Sequence, residues 1–560
     1  MGSRHYMLCI SKGWCRNSFL FVFMIVLQLL IIIYFGEQKE GLFVDEIWSF
    51  NLANHYYHPF LKSASDYFNR WLCQDDWVRT LAVSIEHRFN YDSIIYNLSQ
   101  DVHPPLFFIA LHTVCSFFPE QFSRWHGYAL NMSFFVLTQV FLSLFIYEVT
   151  RDKTKALLVC MFYGFNWGVI NTVLYIRAYM LMTLFGIASF YFHSILLETK
   201  IKNNTVLLIS IYLITVCGLL THYYFLIFGF YLSIGYIGLN IIKKTYKGLI
   251  IYTGAMTGAA ISSILFFKPL LLQFAGKTSQ GWHVKRAVGN LFQTSFIERF
   301  GLFFDYLNSE IFGGLLIFGS LLLVLVVVTK VFVRKELSFS HDFQGFTIRL
   351  KQWLIQMVDL SDWQISIYIL LIFTAFFYFS TIAKISPFDE DHAIRYFFVL
   401  YPFIASLFVL VFLSILKLFC NNTRFILIVF LLTTVLLFVK SYGTKSLTIM
   451  DHSYAGIVRQ ISIEKTNIAI IAINRNTRWY PLIKKVQLMT NAPKAYLIEE
   501  KNINNLKIIL KDYSKNHNSI LIYRAENCKI PIRKMLNYIK TKTGYRLKKD
   551  LGGDVYLLKK

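Results

Sequence analysis

Apolar stretches of membrane-crossing length fill most of the first 440 residues, and short polar clusters separate them. A bilayer crossing needs about 20 largely apolar residues. Eleven stretches meet that demand: 19–35, 128–147, 156–175, 178–197, 205–221, 223–242, 248–267, 311–331, 363–382, 395–418 and 424–440. The first follows Lys12 and Arg16 as a signal sequence would. No small-x-small cleavage pattern comes after it, so it reads as a retained anchor. Pro104–Phe118 is apolar but shorter, which suits an interfacial or re-entrant helix. Beyond Lys440 the pattern changes. Short apolar runs at 467–473, 495–498 and 519–523 read as buried strands, and the charged segments 479–489, 500–514 and 531–542 read as helices. The segment YRLKKDLGGDVYLL reads as a closing hairpin. The expected architecture is an all-α polytopic membrane domain over 1–440, with about eleven transmembrane helices plus juxtamembrane helices. A small basic α/β extracytoplasmic domain over 441–560 follows it.

Composition agrees, since 56% of the 560 residues are hydrophobic, more than a soluble chain hides. The net charge of +24 would fit a nucleic-acid binder, but its distribution excludes that reading. The tail from Tyr442 holds 23 basic against 8 acidic residues, with no aromatic-interleaved basic motif. Much of the remaining positive charge sits in short loops between spans, where it marks the cytoplasmic side. A basic tail beside a membrane meets anionic head groups or an acidic acceptor. The eight cysteines form no CxxC pair and read as small hydrophobes.

The basic loops also choose the topology. If 104–118 does not cross, then RDKTK (151–155), ETKIK (198–202), KKTYK (243–247) and the loop 332–362 all fall inside. If it crosses, three strongly basic loops land outside. The non-crossing arrangement is therefore expected. It places Asp45, Glu46, His103, Arg177, His222 and Arg395 together on the outer face of a multi-pass protein of the bacterial inner membrane. The loop 36–103 carries 10 acidic and 5 basic residues, unlike the inner loops.

Ionisable groups at a membrane boundary are costly and default to a functional reading. Asp45-Glu46 is either a solvated start to an outer loop or a base with a supporting carboxylate or metal ligand. Transfer of a group to a hydroxyl or amine needs such a base. His103-Pro104-Pro105 is either a helix start or the mouth of a site. Arg177 either snorkels to a head group or holds an anion, for which its planar fork suits phosphate oxygens. Arg395 precedes a span, where arginines are common. His222 splits the apolar run 205–242 and is a candidate functional residue or metal ligand. Asp389-Glu390-Asp391 spells a DxD, a weak match that would fit a divalent cation.

In order along the chain, Asp45-Glu46, HPPLFF at 103–108, Arg177-Ala178-Tyr179, Thr221-His222-Tyr223 and Arg395-Tyr396 resemble a known pattern. It is that of the multispan glycosyltransferases that use lipid-linked sugars, the GT-C fold. The groups it is most similar to are the protein O-mannosyltransferase-like bacterial enzymes, among them lipid A aminoarabinose transferases and transferases of lipopolysaccharide cores. The likeness covers roughly 19–440. One departure is His103, where some members carry a lysine. The resemblance implies a polyprenyl-phosphate sugar donor and Asp45 as the catalytic residue. It also implies that His103, Arg177 and Arg395, with Tyr179 and Tyr396 in the same motifs, hold the lipid phosphate.

The expected function is inverting sugar transfer to an extracytoplasmic acceptor, whether glycolipid, surface polysaccharide or protein. Asp45 acts as base and Glu46 supports it. Glu46 and His222 are candidate ligands for a divalent metal ion. A flippase or transporter for lipid-linked sugars would instead place charges deep in its spans and show repeated halves. A polymerase or ligase of O-antigen type has less reason for an acidic pair after the first span.

Overall fold

The computed structural model describes residues 18–39, 41–198, 205–278, 280–316, 362–420, 422–443, 457, 469–483, 485–513 and 518–560. Eight helices among them are long and apolar enough to cross a membrane: Ser18–Gln38, Arg124–Thr150, Tyr179–Glu198, Tyr224–Ile242, Leu249–Phe266, Asp362–Ile385, His392–Lys417 and Thr423–Tyr442. The protein is a multi-pass membrane protein of helical type with a small terminal sheet. Large apolar side chains such as Phe19, Ile250 and Leu432 stand exposed on these helices, as lipid-facing positions do.

Three expected spans take a different form. The stretch 156–175 is not one rod: Lys153–Gly164 and Trp167–Val173 meet at 67°. Asn166 makes the break, accepting from the Gly168 amide at 3.0 Å and donating to the Ile311 carbonyl at 2.8 Å. The stretch 205–221 is helical only over Thr205–Leu219, short for a crossing. The segment before Tyr401 winds as a 3-10 helix, Asp391–Leu400, and Pro402 then opens the α-helical part. The helix Phe296–Phe312 stops at Gly313, whose φ of 58° favours glycine. Most of the expected span 311–331, and all of the loop 332–361, lie outside the described residues. Pro104–Phe118 contains an 11-residue helix, Leu106–Ser116, too short to span.

The terminal region forms a six-stranded sheet in the order β1-β3-β2-β4-β6-β5. The strands are β1 (Trp71–Cys73), β2 (Ala469–Asn474), β3 (Lys494–Glu499), β4 (Ser519–Arg524), β5 (Arg546–Asp550) and β6 (Val555–Lys559). The central β3-β2-β4 ladder is parallel, and β2 is buried along its whole length. That fits its uninterrupted apolar sequence. The expected hairpin is β5–β6. The edge strand β1 belongs to the acidic loop after the first span and pairs antiparallel with β3, Leu72 facing Ala495. Trp479 is buried against Phe60, Tyr67 and Trp77 of that loop, with ring centroids 4.7, 5.0 and 6.2 Å away. The sheet and the loop 36–103 thus share one core.

Candidate active site

Asp45 sits in the first turn of Val44–Asn54, where a carboxylate meets the positive end of the helix dipole. Its neighbour Glu46 turns the other way. Arg177 lies in the break between Trp167–Val173 and Tyr179–Glu198, held open by Asn131, which donates to the Val173 and Tyr175 carbonyls at 3.0 and 2.8 Å. Gly127 lies under this break, and a Cβ there would come within 2.4 Å of Ile176. His103 precedes the Pro-Pro entry to Leu106–Ser116. The first free amide of that helix, Leu106, donates at 2.9 Å to the Leu220 carbonyl, which ties His103 to the turn carrying His222.

These elements bring seven of the eight expected residues, all but Glu46, into one cavity of about 340 Å³. Asp45 Oδ2 lies 3.2 Å from Arg395 Nη1 and accepts from the Tyr175 hydroxyl at 2.8 Å. Arg177 donates to Ser49 Oγ at 3.2 Å and to the Asp45 carbonyl at 3.3 Å. Its other terminal nitrogen lies 2.6 Å from His103 Nε2. His103 Nδ1 is 2.6 Å from the buried Asp101 carboxylate. Arg395 also reaches the Tyr396 hydroxyl, at 3.3 Å. The Asp45–Arg395 contact is an ion pair misaligned for a hydrogen bond. Among the described residues, the buried Nε and Nη1 of Arg395 find no acceptor. Tyr179 packs between Tyr175, His222 and Tyr396, with centroids 5.8, 4.9 and 6.1 Å away.

Electrostatics follow from this packing. Burial works to raise the Asp45 carboxyl. The Arg395 and Arg177 charges, the Tyr175 hydroxyl and His103 outweigh it and hold the group well below the usual carboxylate range. Burial, reinforced by His103, Arg177 and Arg395, pushes the His222 imidazole far down and keeps it neutral. The far wall of the cavity is apolar, built from Leu226, Ile227, Phe274, Val288, Leu291 and Ile385. The site therefore has a cationic end and a greasy end.

Glu46 is not part of the cavity wall. Its two oxygens take Lys39 Nζ at 2.7 and 2.8 Å, the Phe43 amide at 2.6 Å and the Ile176 amide at 3.0 Å. That leaves no lone pair aimed at a metal. No group of three or more His, Cys, Asp or Glu gathers as a metal set among the described residues. His222 spends Nδ1 on the Tyr224 amide at 3.1 Å. The residues expected to bind a divalent ion do not fit one. Of the DxD letters, Asp389 pairs with Arg299, and Glu390 faces His392 at 3.1 Å. The six described cysteines are free thiols. Sequence reasoning missed Lys39, Tyr175 and His283.

No family model matches the chain, and no curated protein matches it. Two solved structures are similar over nearly its whole length, both of ArnT from Cupriavidus metallidurans. The one bound to undecaprenyl phosphate has 8% identity and a TM-score of 0.44. The apo form has 9% identity and a TM-score of 0.43. Each alignment covers 97% of this chain and 98% of the other.

Proposed function

We propose that the protein is a membrane glycosyltransferase that takes a sugar from a polyprenyl-phosphate donor and passes it to an extracytoplasmic acceptor. The observation that carries this reading is the buried Arg395, whose free N–H donors stand beside Arg177 in a cavity with an apolar far wall. A buried cation with unspent donors calls for an anion, and the apolar wall calls for a lipid. An isoprenoid phosphate supplies both. Arg177 and Arg395 take the phosphate oxygens, and His103, Tyr179 and Tyr396 line the same end.

The acceptor hydroxyl or amine attacks the anomeric carbon on the face opposite the phosphate. The new bond forms as the carbon–phosphate oxygen bond breaks, its electron pair leaves on the phosphate, and the acceptor's proton passes to Asp45. Inversion follows from that single displacement. In the resting site the two arginines make Asp45 a weak base. A donor phosphate that draws them away restores its basicity at the moment it is needed. Preorganised donors at the leaving oxygen stabilise the charge that develops there. The site and the terminal domain face outward from a bacterial inner membrane, because the opposite loops are basic.

The test is mass spectrometry of lipids and surface glycans from cells with and without the gene. Loss of the gene should remove one sugar from a surface glycan and leave its polyprenyl-phosphate form in place. Unchanged glycans together with a changed leaflet distribution of the lipid-linked sugar would favour a flippase instead.

A further inference from the structure

The acidic pair divides its labour, and the half that leaves the cavity has a use. Lys39, one residue past the first span, is buried to 1% exposure and Glu46 to 0%. Lys39 Nζ binds both Glu46 oxygens and also donates to the Leu174 carbonyl at 2.7 Å. Glu46 in turn accepts from the Ile176 amide. The backbone is thus gripped at residues 174 and 176, while the side chains between and after them, Tyr175 and Arg177, reach Asp45. The Arg124 guanidinium closes the far side on the Lys39 carbonyl.

We propose that Lys39 and Glu46 are a positioning pair, which sets the 174–177 segment so that Arg177 faces the donor phosphate. The inference rests on the phosphate-site reading above for its consequence, but not for its geometry. A misplacement of about 1 Å far from the chemistry can cost about 10²-fold, so a fixed backbone here has a direct effect on the site. Burying an ion pair is expensive, and losing one partner leaves the other charge uncompensated. This pair is retained where it ties three separate segments: the end of the first span, the acidic helix and the break before Tyr179.

The test uses the full protein in detergent, with Lys39→Met, Glu46→Gln and the double variant. Hydrogen exchange of the 174–178 segment should rise in each single variant. Farnesyl phosphate binding should weaken roughly tenfold, within the range for coupled neighbours, while farnesol binding stays unchanged. The double variant should lose no more than either single one. It has no lone buried charge, so it also serves where a single variant does not accumulate. Unchanged exchange in Lys39→Met overturns the pair's role whatever the ligand does. Equal loss of farnesyl phosphate and farnesol overturns it too, since that marks general collapse. If the wild type itself ignores farnesyl phosphate, the phosphate-site reading falls, and exchange alone still judges the pair.

Discussion

At the residue scale, the useful signals in the sequence were charges placed where charge is expensive. Asp45, His103, Arg177, His222 and Arg395 stood out because each interrupts or borders an apolar run, and the structure gathers all five around one cavity. Their partners were not legible. Lys39 looks like an ordinary boundary lysine, and Tyr175 like one more aromatic in a span. Their roles come from packing between positions some 130 apart in the chain, which local pattern does not carry. Glu46 was legible as important, but its direction was not, because adjacent residues in a helix point about 100° apart. Two predictions belong here. Arg177→Ala should lower transfer by about 10²–10³, the cost of a lost transition-state donor, and Arg177→Lys should fail as well if the fork matters. Full activity in Arg177→Ala at normal protein level would assign the residue to lipid anchoring. The second concerns pH. Asp45 in the folded protein lies below its unfolded value of about 3.9, so its ionised form contributes stability that is present above that pH and lost as pH falls further. Arg395→Met removes the largest opposing charge and leaves burial less opposed. The acid limb of the pH–rate profile should then move to higher pH, and a limb that stays in place would contradict the charge account.

At the scale of elements, hydropathy found the spans but not their interruptions. A single Asn166 breaks one expected helix, because its side chain caps the Gly168 amide of the second piece and donates to the Ile311 carbonyl of the helix Phe296–Phe312. The strand β1 was invisible for a similar reason. Three residues, Trp71-Leu72-Cys73, lie in an acidic loop, and only the open edge of β3 makes a strand of them. The shared core of loop and sheet gives a prediction. Trp479→Ala should remove the ring that Phe60, Tyr67 and Trp77 close over, at about 3–5 kcal/mol for a large aromatic truncation. Limited proteolysis should then cut in both 55–80 and 469–483. Cleavage confined to 469–483 would show that the loop stands without the sheet.

At the scale of the whole molecule, the arrangement separates two poles. The cavity, the acidic loop and the sheet lie together at one. At the other, Arg151 joins Glu148 and Glu198, and Gln364 reaches the Val149 carbonyl. The basic loops predict that the first pole faces outward and the second the cytoplasm, and native cysteines serve as probes of that orientation. Cys73, exposed on β1, should react with a membrane-impermeant thiol reagent added to intact cells, while Cys420, between two late spans, should be protected. The reverse pattern would invert the topology and remove the outward-facing site.

The account turns on Asp45 accepting the acceptor's proton, and the most direct measurement is the initial rate of sugar transfer by Asp45→Asn in purified membranes. The substitution keeps the shape and hydrogen-bonding reach of the side chain and removes the base. Transfer should fall by roughly 10² to 10⁴, the range for a positioned acid–base group, with the protein still inserted and still holding its polyprenyl-phosphate donor. Transfer at the wild-type rate would contradict the mechanism.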